Sequence, residues 1–435
     1  MVGNEDETRS WLKFIFTEEN LDNFSVKILG NSEKGDGYVG DIVFVHLITD
    51  NADFPKEYNL VLKCSKRSQA LREKVPIEQA FTNEIYIYNT VLPVFTEFQH
   101  KHGIEKPFDS VPKYHGKLIR ENVEVLVFEN LKSIGYTLWN KKQSLTRKHV
   151  NMVVTEYGKL HAISLAMQSQ QPEEFEELSS GLQDVLKMFM NSTAVEGMFT
   201  RSIYEVYDLL KGDLDDNILI TWKNFGSQVN FIFNDMCEGS DVTKVIIHGD
   251  CWNNNFMFKY SPDNESLPIK VAMLDWQMSN FSSPILDLSY FLFTCISEED
   301  IEDLDDILRL YYKSMSSYLS QVGADSSTLY PLNIFLQDWK KYCRFGVAMC
   351  GLLLKICATD SDEVVDLAEA AESGDDFSAA FSYDVKDKTN FKNRAKYIVN
   401  ELMCVTEHSS HYRIFKRKSI NKKLNTGIPE LADQT

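Results

Sequence analysis

The chain has 435 residues, 43% of them hydrophobic and 25% charged, with 64 Asp and Glu against 45 Lys and Arg for a net charge of -19. That length gives room for about two to three domains and an ample core, and the composition is that of a globular protein. The acidity argues against broad binding to nucleic acid or to an anionic membrane, both of which need basic surface, but leaves room for a local basic pocket.

The start, Met1 to Glu7, is acidic where a signal peptide would be basic and then apolar. No later apolar run is long enough to span a bilayer, so a cytoplasmic protein is expected. Its eight cysteines form no Cys-x-x-Cys pair and read as reduced thiols.

Residues Thr8 to Phe24 read as a short amphipathic helix. Next comes Gly35-x-Gly37-x-x-Gly40, which fits the pattern G-x-G-x-x-G of phosphate-binding loops. A dinucleotide-binding turn would need a helix directly afterwards, whereas Ile42 to Ile48 is β-branched and aromatic and reads as a strand. A glycine loop between two strands can fold its amides over phosphates; a plain glycine-rich hairpin is the competing reading.

Tyr58 to Cys64 is a strand with one Lys63 among apolar neighbours, and a buried lysine needs an anionic partner. The helix Ile77 to Val91 offers Glu84, in the order in which kinases place their lysine and glutamate. A surface lysine and an ordinary glutamate are the alternative. Strands Lys113 to Ile119 and Glu124 to Phe128 follow, and Glu129-Asn-Leu131 leaves the sheet as a hinge suited to an adenine edge. Thr146 to Met167 is a long helix whose His161 is expected to be structural.

The segment Val245 to Phe258 is an apolar run ending in His248-Gly249-Asp250, then a polar loop to Asn255 and a second strand. A turn-rich stretch, Ser261 to Pro268, returns the chain through Ile269 to Leu274 to Asp275. Asn255 and Asp275 then meet at the open end of a hairpin, with Asp250 nearby. Hard oxygen donors of this kind suit Mg²⁺ shared with substrate phosphates. The spacing matches the loop H-R-D-L-x-x-x-N and the Asp of D-F-G, so phosphoryl transfer from ATP is the hypothesis. Downstream, Asp287 could cap a helix or hold the loop from behind, and the supporting role is favoured. Asp300 to Ser320 and Tyr330 to Cys357 read as helices, with Cys343, Cys350 and Cys357 as a buried stripe. Ala358 to Asp384 is an acidic loop, Asn390 to Glu407 a last helix, and 408–435 a disordered tail.

His-Gly-Asp-Cys-Trp-x-x-Asn-x-Met-Phe, then Leu-Asp-Trp-Gln, with Lys-Gly-Asp-Gly-Tyr in the glycine loop, resembles the ecdysteroid kinase-like family, also called CHK kinase-like proteins. These are relatives of aminoglycoside and choline phosphotransferases. The resemblance runs from about Asn23 to Glu407. It implies an α+β, protein-kinase-like two-lobe fold, with a small antiparallel β-sheet lobe (1–129) and a larger, mostly helical lobe (130–407). It further implies Asp250 as the catalytic Asp, Asn255 and Asp275 as Mg²⁺ ligands, and ATP held by Lys63, Glu84 and the Gly35, Gly37, Gly40 loop. Gly37 stands where many relatives carry Asn. Trp276-Gln277 in place of Phe-Gly removes the glycine of a D-F-G switch.

The acceptor expected is a small molecule with a hydroxyl, uncharged and mostly apolar, such as an ecdysteroid or lipophilic xenobiotic. Trp252, Met257, Trp276, Met278 and Phe281 would border its cleft, though core packing is the reading for at least half of them. Alternatives are a cationic alcohol of the choline or aminoglycoside type, met by the acidic stretch Asp360 to Asp376, or an inactive ligand-binding member. The missing Arg before Asp250 and the missing A-P-E disfavour a protein kinase.

Overall fold

The computed structural model describes residues 4–17, 24–31, 37, 39–49, 56–192, 195, 197–238, 242–360, 366–373 and 385–406. Asn4 accepts a hydrogen bond from Glu7 N at 2.8 Å and, with three acidic residues in the first turn, starts helix α1 (Glu5–Ile15). This helix lies further upstream than its apolar pattern suggested, and Phe24, expected at its end, instead opens strand β1 (Phe24–Asn31).

Strands β1, β2 (Gly40–Thr49), β3 (Glu57–Ser65), β4 (Tyr114–Arg120) and β5 (Val123–Glu129) form one antiparallel sheet in the order β1-β2-β3-β5-β4. Alternation decides its two faces. Val43, Val45, Leu47, Leu60, Leu62, Val125 and Val127 turn toward Trp11 and Leu12 of α1 in a small core of their own. The odd-numbered Lys63 therefore points to the opposite face. There the chain between β3 and β4 supplies α2 (Gln69–Lys74), α3 (Ile77–Tyr86) and α4 (Leu92–Lys101), with α3 and α4 joined by a π-helical turn at Ile87–Val91.

After β5 the structure is mostly helical. A three-residue strand β6 (Tyr136–Leu138), too short to carry a period in sequence, precedes α5 (Arg147–Gln170). Helices α6 (Pro172–Ser180), α7 (Val185–Met190), α8 (Met198–Leu210), α9 (Asp216–Gly226) and α10 (Val229–Glu238) follow. Strands β7 (Val245–Ile247), β8 (Phe256–Ser261), β9 (Asn264–Met273) and β10 (Asn280–Ser282) then frame the polar loop. β9 begins upstream of the expected start at Ile269 and takes in Pro268 at an irregularity in its register with β8, where no ladder donor is needed.

All twelve residues of α11 (Pro284–Cys295) are buried, as a helix apolar all round must be. Around it lie α12 (Glu298–Glu302), α13 (Leu304–Gln321), α14 (Ser326–Leu329), α15 (Leu332–Tyr342), α16 (Arg344–Ala358), α17 (Leu367–Glu372) and α18 (Lys388–Thr406). The single helix expected over Tyr330 to Cys357 is broken at Cys343. The break lets α16 run against α11 so closely that a Cβ on Gly346 would stand 2.2 Å from the Ser289 backbone. Cys343, Cys350 and Cys357 are buried and outside any disulfide, as expected. The main core is continuous from Leu71 through α3, Leu126 and α5 to Val399. This is the α+β, protein-kinase-like arrangement expected, a small antiparallel sheet followed by a mostly helical remainder. No described helix is long and apolar enough to cross a membrane.

Candidate active site

The polar loop sits between β7 and β8, and its conformation is fixed from behind. Asp287, near the start of α11 and fully buried, accepts hydrogen bonds from His248 N and Gly249 N, both at 2.8 Å, and from Cys251 Sγ at 3.1 Å. His161 Nε2 lies 3.1 Å from the same carboxylate, and its Nδ1 is 2.9 Å from the Tyr311 hydroxyl. His161 is thus structural, as expected, and it acts through Asp287. Burial works against charge on Asp287, but the His161 hydrogen bond and the backbone donors outweigh it and hold the carboxyl below its ordinary range.

His248 donates from Nε2 to Leu274 O at 2.8 Å, and its Nδ1 accepts from Asp250 N at 3.2 Å. Only the neutral ring can do both, and burial lowers its pKa accordingly. Gly249 adopts φ 85, and a Cβ there would lie 2.2 Å from Met278 O. Gly249→Ala is therefore expected to lower stability by about 2–4 kcal/mol through left-handed strain and steric overlap, read as a drop in thermal melting temperature.

The sheet and the hairpin converge on one lysine. Lys63 Nζ is 2.5 Å from Glu84 Oε2 on α3 and 2.6 Å from Asp275 Oδ1 at the end of β9. Glu84 also accepts from Trp276 N at 3.2 Å, so one carboxylate ties the sheet, α3 and the hairpin together. Burial alone would lower the lysine pKa, but the two carboxylates raise it above its ordinary value. Asp275 takes φ 63, a left-handed conformation uncommon outside glycine and characteristic of strained, functional positions.

Asp250 completes the group. Asn255 Nδ2 donates to its Oδ2 at 2.8 Å and to its backbone carbonyl at 2.9 Å, and the Tyr290 hydroxyl donates to its Oδ1 at 2.9 Å. Burial first, then the charge of Asp275, pushes the Asp250 carboxyl up to about 7, near the value that suits a general base at neutral pH. One ammonium thus faces three carboxylates, an excess of negative charge that favours a bound cation.

The other expected site residues are more scattered. A Cβ on Gly37 would stand 2.3 Å from Gly40 O, and one on Gly40 would stand 2.9 Å from the Phe81 ring, so only glycine fits this turn. Gly35 lies outside the described residues. Glu129 ends β5, and Leu131 packs with Met257 and Ala272, and with the half-buried Leu274, in a separate small cluster. Met257 is therefore a packing partner of Leu131. Trp276 is core, with its ring 4.6 Å from that of His248. Trp252 is also buried, while Met278 and Phe281 are half-buried.

The segment after Asp275 is tied down, since Asn83 Nδ2 donates to Gln277 O at 3.1 Å and to Ser279 O at 2.8 Å. Of the acidic stretch, Asp366 lies 3.6 Å from Lys66 Nζ, which also pairs with Asp41 at 2.7 Å, and α17 packs on α2. Much of the remainder lies outside the described residues, as does the tail 408–435.

Sequence reading missed Tyr290, which sits in an apolar run, and Asn83, an ordinary polar residue of an amphipathic helix. For Tyr290 the one available signal was helical spacing: Asp287 and Tyr290 are three apart and so share a face of α11.

Among curated proteins nothing matches the chain significantly. Solved structures similar to it include the GDP complex of wild-type aminoglycoside 2'-phosphotransferase-IIIa, at 13% identity over 92% of this chain and 100% of that one, with TM-score 0.39. Another is aminoglycoside-3'-phosphotransferase of type VIII, at 14% identity over 79% and 98%, with TM-score 0.31. Glucosamine kinase in complex with glucosamine, ADP and inorganic phosphate matches at 10% identity over 90% and 84%, with TM-score 0.33. The sequence model of the ecdysteroid kinase-like family matches residues 34–324, well over half of the chain, and the protein belongs to that family of phosphotransferases acting on hydroxyl groups.

Proposed function

We propose that the protein is a cytoplasmic, ATP- and Mg²⁺-dependent kinase that phosphorylates a hydroxyl of an uncharged, mostly apolar small molecule, such as an ecdysteroid or a lipophilic xenobiotic. The observation that carries this reading is the placement of Lys63 between Glu84 and Asp275, 2.5 and 2.6 Å away, at the mouth of the Asp250 loop. Residues 1–129 would hold the nucleotide, and 130–407 would supply the catalytic hairpin and the acceptor site. Gly35, Gly37 and Gly40 would cover the phosphates, and Lys63 would pair with them. Glu129 and Leu131 would read the adenine edge, with Met257 beneath. Asp250 would orient the acceptor hydroxyl and take its proton.

Among the described residues no group of three His, Cys, Asp or Glu side chains forms a metal site by itself. Mg²⁺ itself needs only one or two protein oxygens besides the substrate phosphates. Asp275 and Asn255 would provide those oxygens, Asn255 with the amide oxygen opposite its bonds to Asp250. When bound, Mg²⁺ would neutralise charge on the transferred group.

Two rival readings are weaker. All five polar groups are assembled, which disfavours an inactive member. A cationic acceptor needs carboxylates over the cleft, yet Asp366 is engaged by Lys66.

The test is ATP consumption against steroids, phenols, amino alcohols and glycosides, with product mass measured. Turnover of choline or an aminoglycoside, with none on any steroid or phenol, would sink the apolar-acceptor reading. For the metal roles, Asp275→Ala is expected to weaken MgATP binding by at least about tenfold more than Asn255→Ala, because a full charge outweighs an amide dipole. Calorimetric titration giving the reverse order would overturn the assignment.

A further inference from the structure

Asn83 precedes Glu84 on α3 and is 1% exposed, yet both polar atoms of its side chain find partners outside the helix. Gln183 N, between α6 and α7, donates to its Oδ1 at 3.0 Å. This fixes which way the amide points, because a backbone N–H can only donate. Nδ2 therefore faces the opposite side, where it donates to Gln277 O at 3.1 Å and to Ser279 O at 2.8 Å. The helix itself gains nothing from this residue, since asparagine is a poor helix former and is costly to bury unless it is hydrogen-bonded.

What Asn83 grips lies just downstream of Asp275. Its neighbour Glu84 accepts from Trp276 N at 3.2 Å, so two consecutive residues of α3 hold positions 276, 277 and 279. Asp275 stands at φ 63, a conformation that persists in a residue other than glycine only where the surroundings over-determine it. Those two side chains are such surroundings. The Ser279 hydroxyl carries the hold on to the Asp250 loop, donating to His248 O at 3.2 Å. The helix is in turn anchored: the Tyr86 hydroxyl donates to Leu178 O of α6 at 3.0 Å, and a Cβ on Gly181 would stand 2.3 Å from the Tyr86 ring.

We propose that Asn83 is a positioning residue that holds the left-handed backbone of Asp275, so that this carboxylate is aimed for the metal before any nucleotide arrives. The proposal rests on the kinase reading above and on Asp275 as a metal-binding oxygen. A residue that merely fastened α3 to its surroundings would, when lost, loosen every nucleotide contact alike, including those of Lys63. Acting through Asp275, Asn83 bears instead on the metal-dependent part of the affinity, because Mg²⁺ demands near-ideal placement of its oxygens.

The experiment is calorimetric titration of the full chain with ATP, in excess Mg²⁺ and separately in EDTA, for the wild type, Asn83→Ser and Asn83→Asp. The serine is too short to span the three partners, whereas the aspartate keeps the volume and an acceptor for Gln183 N but loses the two donated bonds. Affinity in Mg²⁺ is expected to fall by at least about tenfold in both variants, with affinity in EDTA within about twofold of wild type. Amide hydrogen exchange of the nucleotide-free protein gives a second reading, with faster exchange expected in both variants over 275–281. Equal weakening in the two buffers, wild-type affinity in both, unchanged exchange over 275–281, or loss of cooperative melting in both variants would each make Asn83 a residue of the fold alone and overturn the proposal. A wild type that binds no ATP in either buffer is a different result: it removes the kinase reading, and the nucleotide role of Asn83 falls with it.

Discussion

Asp250→Asn is expected to lower phosphoryl transfer by roughly 10²–10⁴-fold, the usual contribution of a positioned general base, while MgATP binding stays close to wild type. The two donors that hold the carboxylate, Asn255 Nδ2 and the Tyr290 hydroxyl, fix its orientation. An amide of the same shape keeps that place, but its nitrogen cannot take a proton from an alcohol. Its effect on the nucleotide is small because Lys63, Glu84 and Asp275 do not touch the substituted atom by any direct hydrogen bond seen here. Single-turnover transfer together with a MgATP titration separates the two effects. Near-wild-type turnover would show that Asp250 is not the base, and loss of MgATP binding would show that it belongs to the nucleotide site.

How much of this was visible in the residue order depends on the range of the interaction. Lys63, Glu84, Asp250, Asn255 and Asp275 stand at motif spacings, and Lys63 and Asp275 are also anomalous polar residues within or just after an apolar run, so the sequence marks them. That the structure brings Lys63 within 2.6 Å of Asp275, 212 positions away, follows from sheet and hairpin packing, which no local pattern encodes. Tyr290 was invisible because a tyrosine in an apolar helix reads as core, and it is core in all but its hydroxyl. Strands β6 and β10, three residues each, have no measurable period and are created by their partners β8 and β7. The break at Cys343 was hidden for the opposite reason, since the apolar pattern continues through it. What decides it is the close approach of Gly346 to α11, a tertiary demand. Met257 shows the same limit: its alternation placed it on the hairpin, but its packing against Leu131 is a tertiary contact.

Asp287 carries the other large effect. The sequence offered two roles for it, helix cap and support of the loop. The geometry supplies the second, because its carboxylate faces His248 N, Gly249 N, Cys251 Sγ and His161 Nε2 at 2.8–3.1 Å, whereas Ser283 makes the cap of α11. Asp287→Ala leaves at least two backbone donors buried without an acceptor, each worth about 1–3 kcal/mol, so a loss of about 3–5 kcal/mol is expected. Asp287→Asn keeps the volume but turns an amide nitrogen toward one of those donors, and it should lower both stability and turnover, with a smaller effect on the KM for ATP, since the donors it disturbs are His248 N and Gly249 N beside Asp250. The pH dependence has a definite sign. The folded-state pKa of Asp287 is depressed, so its stabilisation is fully present above the unfolded value of about 4 and is lost as pH falls through the lower folded value. The stability gap between wild type and Asp287→Asn should therefore be constant from neutral pH down to about 4 and shrink below it. Denaturant midpoints measured across that range decide the matter, and a gap that widens on acidification would mean that the carboxylate is not the charged acceptor of the loop.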